Sequence, residues 1–112
     1  YMYSNGDGVL LNMTKAAEWY QKAADQGDAW AQHNLGFMYD IGDGVSVDQR
    51  KAAEWYQKAA DQGLANAQFN LGVLYYLGEG VEINKRKAVE LLTKAADQGD
   101  SEAISFLEQI VD

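Results

Sequence analysis

Apolar residues recur along this chain with the spacing of helices that bury one face. Between Lys15 and Gly27 the apolar positions follow an i, i+3, i+4, i+7 pattern, and polar or charged residues fill most of the other positions. These apolar positions are Ala16, Trp19, Tyr20 and Ala23. The same spacing returns 36 residues later, so the pattern predicts an amphipathic helix, here called the B helix, in each copy.

A second helical pattern, the A helix, precedes each complete copy of the B helix. Ala31, Leu35 and Tyr39 fall on one stripe of this helix, and an equivalent stripe follows 36 residues later. The predicted A helices run from about Asp28 to Ile41, from about Leu64 to Leu77, and from about Asp100 to the C-terminus. Alternating A and B helices predict an all-α fold.

Polar residues precede the B helices and glycines follow them. A short polar side chain can accept a hydrogen bond from the free N–H groups of the first turn, and a glycine in the left-handed conformation closes a helix at low cost. The predicted caps are Asn12, Asp48 and Asn84, and the closing glycines are Gly27, Gly63 and Gly99. On the outer face, i, i+4 ion pairs are predicted for Glu18 with Lys22, Glu54 with Lys58, and Glu90 with Lys94.

Segments with two glycines connect each A helix to the next B helix. Two glycines permit positive φ at both positions, so the chain can reverse tightly there. The predicted turns are Gly6–Val9, Gly42–Val45 and Gly78–Val81. The acidic residue in each turn does not indicate a metal site, because the alternating carboxylates and closing glutamate of a calcium loop are missing.

Two further glycines, Gly36 and Gly72, lie in the middle of A helices. Glycine costs roughly 1 kcal/mol relative to alanine at such a position, so a packing reason is expected. We predict that a B helix crosses the A helix there. Ala17 and Ala53 offer the matching small surface on the B helices.

The chain contains an internal repeat of 36 residues. Lys15–Gly27 and Lys51–Gly63 are identical at all 13 positions, and Lys87–Gly99 keeps nine of the 13. Repeats of this length indicate stacked supersecondary units, which predicts an α-solenoid of antiparallel helix pairs. The predicted single array comprises a partial repeat 1–27, repeats 28–63 and 64–99, and a terminal helix 100–112. Since Tyr1-Met2-Tyr3 aligns with the end of an A helix, we expect the chain to be a fragment of a longer protein.

Composition narrows the classes of function. No uninterrupted apolar stretch approaches the roughly 20 residues of a membrane-spanning helix, which predicts a soluble protein without membrane insertion. With 17 acidic and nine basic residues the formal net charge is -8, so a phosphate backbone would repel the chain and nucleic acid is excluded as a partner. The absence of cysteine excludes disulfides and thiolate metal sites, and no cofactor is predicted. No signal peptide is recognisable, and the compartment stays open.

Catalytic chemistry finds little support in the sequence. His33 is the only histidine, so a histidine-based dyad has one base and needs a serine or threonine nucleophile. The hydroxyl residues lie in no nucleophile-elbow sequence and near no glycine-rich phosphate loop. These residues are Ser4, Ser46, Ser101, Ser105, Thr14 and Thr93. The sequence therefore predicts no catalytic residue and no enzyme activity.

Taken together, these motifs resemble the Sel1-like repeat family, relatives of the tetratricopeptide repeats. The resemblance rests on Ala31-Gln-His-Asn-Leu-Gly36, Tyr39, Gly42-Asp-Gly-Val45, Lys51-Ala-Ala-Glu-Trp-Tyr56 and Lys58-Ala-Ala-Asp-Gln-Gly63. It implies a right-handed superhelix with A helices on the concave side and B helices on the convex side. It also implies an adaptor protein of bacterial origin. A cysteine-rich branch of the family has been described as binding or hydrolysing β-lactams, and this chain departs from that branch.

Recognition residues are expected where the units differ, because shared positions serve the stacking of units. The A helices differ at positions three and four apart, which lie beside the packing stripe and face the predicted groove. The predicted binding surface consists of Trp30, His33, Asn34, Phe37, Phe69, Asn70, Val73 and Tyr76. Its aromatic rings would form a platform for a peptide. Asn34 and Asn70 are the same residue in both units and are included because they resemble asparagines with which some relatives hold a peptide backbone or a terminal carboxylate.

Two alternatives remain open at this stage. The rings could pack between neighbouring A helices while the asparagines only tie loops together. The array could also act as a structural spacer or form homo-oligomers through its N-terminal end, where the inner face with Trp19 and Tyr20 is expected to be partly uncovered.

Overall fold

The computed structural model describes residues 6–110, and their side chains from 14 to 110. The helices of this part are α1 (Gly6–Asp25), α2 (Ala29–Ile41), α3 (Gln49–Asp61), α4 (Ala65–Leu77), α5 (Lys85–Asp97) and α6 (Ser101–Ile110). Each helix packs against the next one along the chain, and the array measures 47 × 27 × 26 Å. The predicted all-α solenoid of helix pairs is confirmed, with α2, α4 and α6 as A helices and α1, α3 and α5 as B helices.

The predicted ends of the helices are largely confirmed. Asp48 accepts a hydrogen bond from the backbone N–H of Lys51 at 3.1 Å, and Asn84 accepts one from Lys87 at 3.0 Å. The closing glycines Gly27, Gly63 and Gly99 all have positive φ, as do the turn glycines Gly42, Gly44, Gly78 and Gly80. The second and third of the three predicted turns therefore form as expected.

The start of α1 differs from the prediction. The helix includes the segment Gly6–Val9, so the first predicted turn is wrong, and Asn12 lies inside the helix. In the next unit the turn is closed by N–H groups of Gly42 and Asp43, which donate to the carbonyl of Met38 at 2.8 and 2.9 Å. The equivalent carbonyl and the predicted A-helix residues 1–3 lie outside the described residues. Continuing the helix gives the carbonyls of this segment backbone donors within α1.

The buried core lies between the two layers of helices and consists mainly of alanine and leucine. Its largest fully buried side chains are Tyr56, Leu35, Leu71 and Leu92. Trp55, at the edge of the B-helix face, packs against the cluster of Ala24 from the preceding unit with Ala31 and Leu35 from its own unit. Trp19 occupies the same repeat position and is 66% exposed, whereas Tyr20 is partly buried and packs against the same cluster.

The glycines inside the A helices mark helix crossings, as predicted, but their neighbours are different. A Cβ at Gly36 would lie 2.9 Å from the ring of Tyr56 and 3.1 Å from the carbonyl oxygen of Ala52. A Cβ at Gly72 would lie 2.9 Å from the side chain of Leu92. The B-helix backbone approaches closely, as expected, but the nearest side chains are Tyr56 and Leu92 and not Ala17 or Ala53, because a large side chain fills the space that the glycine leaves.

The predicted ion pairs on the B helices do not form among the described side chains. The ammonium group of Lys22 lies instead 5.2 Å from the centroid of the Trp19 ring, and that of Lys58 lies 5.5 Å from the centroid of the Trp55 ring. An i, i+3 arrangement over an aromatic face competes with the i, i+4 carboxylate, and a cation–π contact is worth about 0.5–1 kcal/mol at an exposed site.

Glutamine side chains connect successive units. Gln62 Nε2 donates to the carbonyl oxygen of Gly27 at 2.8 Å and to Gln32 Oε1 at 3.0 Å. One unit later, Gln98 repeats both contacts with Gly63 at 2.8 Å and Gln68 at 3.0 Å. This glutamine relay gives the repeated Asp-Gln-Gly sequence a structural role, since its glutamine joins the ends of α3 and α5 to the preceding unit.

The relay yields a prediction about stability. Replacing Gln98 with alanine should lower the free energy of unfolding by about 1–3 kcal/mol, because it leaves a mostly buried amide oxygen on Gln68 without its donor. The matched control is Gln26→Ala at the same repeat position, since the side chain of Gln26 is exposed and bonds to no described residue. Urea denaturation of both variants is the measurement. Equal losses would show that the relay does not contribute.

The described part of the chain contains neither a membrane-spanning helix nor a cluster of metal ligands. No helix there is long and apolar enough to cross a membrane. No group of three or more histidine or carboxylate side chains in residues 14–110 is arranged to hold a metal ion.

Candidate functional site

The A helices α2, α4 and α6 form a cleft of about 390 Å³. Its lining residues are His33, Asn34, Phe37, Asn66, Phe69, Asn70 and Glu102. The cleft therefore brings together five of the eight predicted binding residues, from two neighbouring units. It is called the A-helix cleft below.

His33 lies at the centre of this cleft and bonds to an asparagine on each side. Asn70 Nδ2 lies 3.0 Å from His33 Nε2, and Asn34 Oδ1 lies 3.3 Å from His33 Nδ1. These contacts fit the tautomer in which Nδ1–H donates to Asn34 and Nε2 accepts from Asn70. The hydrogen bond to Asn70 joins α2 to α4, whereas the hydrogen bond to Asn34 lies within α2.

Each asparagine keeps half of its amide available. The Nδ2 group of Asn34 and the Oδ1 atom of Asn70 have no hydrogen-bond partner among the described residues. Both side chains are only partly buried, so these groups can be reached from the cleft. One free donor and one free acceptor complement the carbonyl and N–H groups of a peptide backbone.

The four aromatic residues of the predicted platform divide into two pairs. Trp30 and Phe37 on α2 are 54% and 47% exposed. Phe69 and Tyr76 on α4 are partly buried, and their ring centroids lie 6.2 and 5.6 Å from that of Phe106 on the last helix. The first pair is thus open to a ligand, whereas the second pair packs largely as the alternative interpretation describes.

Three predicted residues lie outside the lining of the cleft. The ring of Trp30 stands edge-on to that of His33, with centroids 5.9 Å apart, and so borders the cleft. Tyr76 packs against the last helix, and the ammonium group of Lys85 lies 5.0 Å from the centroid of its ring. Val73 is partly buried and contributes no lining surface.

Two lining residues were not among the predicted binding residues. Asn66 and Glu102 occupy the same repeat position as Trp30. The signal was therefore present in the sequence, because this position differs in all three A helices. Comparing the first two A helices alone could not reveal Glu102, which belongs to the third.

Burial changes the protonation of two groups beside the cleft. It lowers the pKa of His33 below the ordinary value of 6.5, and the hydrogen bond to Asn34 partly opposes this shift. Burial also raises the pKa of the Tyr56 phenol, and the negative charge of Asp40 adds to the rise. The rings of His33 and Tyr56 lie against each other with centroids 5.6 Å apart. Both groups are therefore neutral at pH 7.

The repeat units have the pattern of a known family. The model described as Sel1 repeat matches residues 1–28, 31–64 and 65–100, which together cover most of the chain. The chain belongs to the Sel1 repeat family. Sel1 repeat proteins are generally scaffolds for protein–protein interaction and are generally not catalytic.

Solved structures show the same Sel1 architecture. A protective antigen of uropathogenic Escherichia coli with an SLR fold is 40% identical over 80% of this chain, with a TM-score of 0.78. A Sel1 repeat protein from Oxalobacter formigenes is 43% identical over 83%, with a TM-score of 0.81. Cysteine-rich protein B of Helicobacter pylori is 32% identical over 81%, with a TM-score of 0.76.

The relatives are longer than this Sel1 chain to different degrees. The matched part corresponds to 19% of the Escherichia coli protein and 27% of the Oxalobacter protein, but to 68% of the Helicobacter protein. No curated protein sequence gives a significant match. The similarity therefore fixes the architecture of the units and leaves open what they bind.

The lowered pKa of His33 predicts how the stability of this Sel1 array depends on pH. The unfolded chain binds a proton near pH 6.5, and the folded chain binds it only at lower pH, so acidification favours unfolding. We expect the free energy of unfolding to fall between about pH 7.5 and 5.5, and to fall less in His33→Gln. Denaturation curves at several pH values test this. Identical slopes for both chains would contradict the assignment.

Proposed function

We propose that the A-helix cleft binds an extended peptide segment of a partner protein and catalyses no reaction. The observation that supports this most strongly is the pair of free amide groups on Asn34 and Asn70, which His33 holds on opposite sides of one cleft. An extended peptide presents carbonyl and N–H groups that such a pair can satisfy together.

Preorganisation favours binding through this pair. Because His33 already fixes both asparagines, a ligand does not have to order these side chains, a cost of about 0.5–1.5 kcal/mol for each. The exposed rings of Trp30 and Phe37 border the same cleft and provide apolar surface for side chains of the peptide.

Charge indicates which peptides fit. Glu102 lines the α6 end of the cleft, is exposed, and forms no ion pair among the described residues. The whole chain carries a formal net charge of -8. A basic residue in the peptide would therefore be attracted to the α6 end, and an acidic peptide would be repelled.

The proposal that the cleft catalyses no reaction rests on the hydrogen bonds of His33. Both of its ring nitrogens contact asparagine amides, so neither is free to act as a base toward a serine or threonine hydroxyl. The hydrolase alternative that cysteine-rich relatives suggest has no comparable geometric support in this chain.

Peptide display tests the proposal, because a random library samples many peptide sequences at once and lets the cleft select its own ligands. Random peptides would be selected on the wild-type chain, and the selected peptides measured against the double variant Trp30→Ala with Phe37→Ala. We expect at least about tenfold weaker binding, because exposed aromatic residues dominate such interfaces. The free energy of unfolding should change by less than about 0.5 kcal/mol, because both rings are about half exposed and lie outside the core.

The matched control removes exposed apolar side chains elsewhere on the surface. Trp19 and Val47 are 66% and 62% exposed and do not line the cleft. The double variant Trp19→Ala with Val47→Ala should therefore bind the selected peptides as tightly as the wild type. Peptides that bind the wild type and both double variants equally would refute the proposal. A selection that yields no peptide above background would also refute it.

Self-association is a second candidate function, favoured by the exposure of Trp19. Its ring is 66% exposed, and an exposed aromatic ring is suited to contact another molecule. Light scattering separates the two candidates. A monomer that binds selected peptides supports recognition in the cleft, whereas a dimer that has lost peptide binding supports self-association.

A further inference from the structure

A second cleft lies between the B helices α3 and α5, in the other layer of the array. It has a volume of about 370 Å³. Its lining residues are Gln57, Ala60, Asp61, Gly63, Gln68, Lys87, Glu90, Leu91 and Lys94. None of these residues lines the A-helix cleft, so the B-helix cleft, as it is called here, is a separate feature.

One unit earlier in the sequence, the same nine positions differ at one residue only. Shifting the lining by 36 residues gives Gln21, Ala24, Asp25, Gly27, Gln32, Lys51, Glu54, Trp55 and Lys58. Eight of the nine residues are therefore identical, and the exception is Leu91 in place of Trp55. The B-helix cleft therefore repeats the residues found around Trp55 one unit earlier, with leucine in place of the tryptophan.

The earlier unit shows how these walls hold a ring. Trp55 is partly buried and packs against a cluster that includes Ala24, which is equivalent to Ala60 in the B-helix cleft. The ammonium group of Lys58 lies 5.5 Å from the centroid of the indole ring. The indole ring of Trp55 is thus held between the cluster with Ala24 and the ammonium group of Lys58.

The third unit retains the cation but lacks the ring. Lys94 is equivalent to Lys58, and it contacts no aromatic ring and no carboxylate among the described residues. By contrast, Lys22 and Lys58 each lie over a tryptophan three residues earlier. Leu91 is itself buried, so the open volume remains above its side chain.

We propose that the B-helix cleft binds the indole side chain of a tryptophan on a partner polypeptide. The ring takes the place that Trp55 occupies one unit earlier and lies beneath Lys94. Two carboxylates in the lining, Asp61 and Glu90, provide acceptors for an indole N–H. Two lysines balance their charge, which favours a neutral ring over a charged group. This inference is independent of the function proposed for the A-helix cleft.

A fluorinated N-acetyl-tryptophanamide is the probe, followed by fluorine NMR so that the tryptophans of the protein do not interfere. We expect saturable binding with a Kd on the order of 1 mM for a single side chain. N-acetyl-leucinamide, at the same concentration, should displace the probe at least about tenfold less effectively, since it offers no ring to the cation and no N–H from an indole.

The decisive variant fills the B-helix cleft with a side chain of the protein itself. Leu91→Trp places a covalent indole at this position and should weaken probe binding at least about tenfold. Its helical circular dichroism should match that of the wild type, because the same residue is accommodated one unit earlier. The reverse variant, Trp55→Leu, should open a second site beneath Lys58 and raise the stoichiometry from one probe to two. Should Trp55→Leu fail to fold, Leu91→Trp alone decides.

Charge variants test the role of the cation. Lys94→Ala should weaken probe binding about two- to fivefold, the factor that corresponds to a cation–π contact at an exposed site. Lys22→Ala, at the same repeat position but away from the cleft, should leave binding unchanged.

Four outcomes would overturn the inference, and the partner polypeptide is taken to be a protein other than a second copy of this chain. The first is the absence of saturable binding up to about 10 mM probe. The second is undiminished binding to folded Leu91→Trp, and the third is equal displacement by the leucine compound. If light scattering shows a dimer that Trp19→Ala dissolves and the probe disrupts, a second copy occupies the cleft, and the assignment to a different partner is wrong.

Discussion

Alanine at Gly80 is expected to lower the free energy of unfolding by about 3 kcal/mol, from two causes acting together. The residue has a φ of +74°, which costs an alanine roughly 1–2 kcal/mol. Its new Cβ would also overlap the carbonyl oxygen of Gln49 and lie 2.9 Å from Gln49 Cβ. Backbone atoms at the start of α3 cannot move aside as a flexible side chain can, so overpacking adds about 1–3 kcal/mol.

A second glycine separates the two causes. Gly63 has a φ of +90°, but a Cβ there would meet nothing within 4 Å. Gly63→Ala should therefore cost only the conformational part, roughly 1–2 kcal/mol. Urea denaturation of both variants gives the difference, which measures the close approach of the turn to α3. Equal losses would show that the turn and α3 are not in contact in solution.

Truncating Tyr56 to alanine is expected to cost about 3–5 kcal/mol, as for other large buried aromatic side chains. Tyr56 is 0% exposed and fills the space beside Gly36, so its loss leaves a cavity where α2 and α3 cross. The ring also lies against His33, with centroids 5.6 Å apart. The variant should therefore loosen the A-helix cleft as well as the core.

The hydroxyl of Tyr56 makes a different contribution from the ring. It is buried and has no hydrogen-bond partner among residues 14–110, although Asp40 is close enough for its negative charge to raise the pKa of the phenol. Removing an unsatisfied buried hydroxyl relieves its desolvation cost, so Tyr56→Phe should be neutral or stabilising by up to about 1 kcal/mol. Thermal and urea denaturation of Tyr56→Phe and Tyr56→Ala measure the two parts separately. A loss above about 1 kcal/mol in Tyr56→Phe would indicate a hydrogen bond, with Asp40 as the acceptor.

The helices and their ends could be predicted from the sequence because each unit repeats the same local signals. The caps Asp48 and Asn84 and the closing glycines act within a few residues of their own helix, so their effect is readable without tertiary structure. The start of α1 could not be predicted in the same way. A turn needs an acceptor from the preceding helix, and the sequence of Gly6–Val9 does not show whether that acceptor is present.

Contacts between helices were harder to predict, because repeat spacing gives the order of the helices but not the distances between them. The neighbour of Gly36 was expected to be a small residue and is the ring of Tyr56. Lys58 was expected to pair with a carboxylate and lies over Trp55. In both cases the pattern of apolar positions does not show how far an aromatic side chain reaches toward its neighbours.

The candidate site could be predicted only in part, because repeat spacing does not give the distances between helices. Positions that differ between units did identify His33, Phe37 and Phe69 as residues of one cleft. The sequence could not show that Phe106 covers Phe69, because that contact depends on where the last helix packs. Nor could the sequence show that His33 forms a hydrogen bond with one amide group of Asn34 and one of Asn70.

Amide chemical-shift mapping with a display-selected peptide tests recognition by the cleft most directly. The largest shifts are predicted along α2 and α4, at Trp30, Asn34, Phe37, Asn66 and Asn70, together with a changed ring signal of His33. Shifts confined to the B helices, or an unchanged His33 signal on saturation with peptide, would contradict recognition by the A-helix cleft.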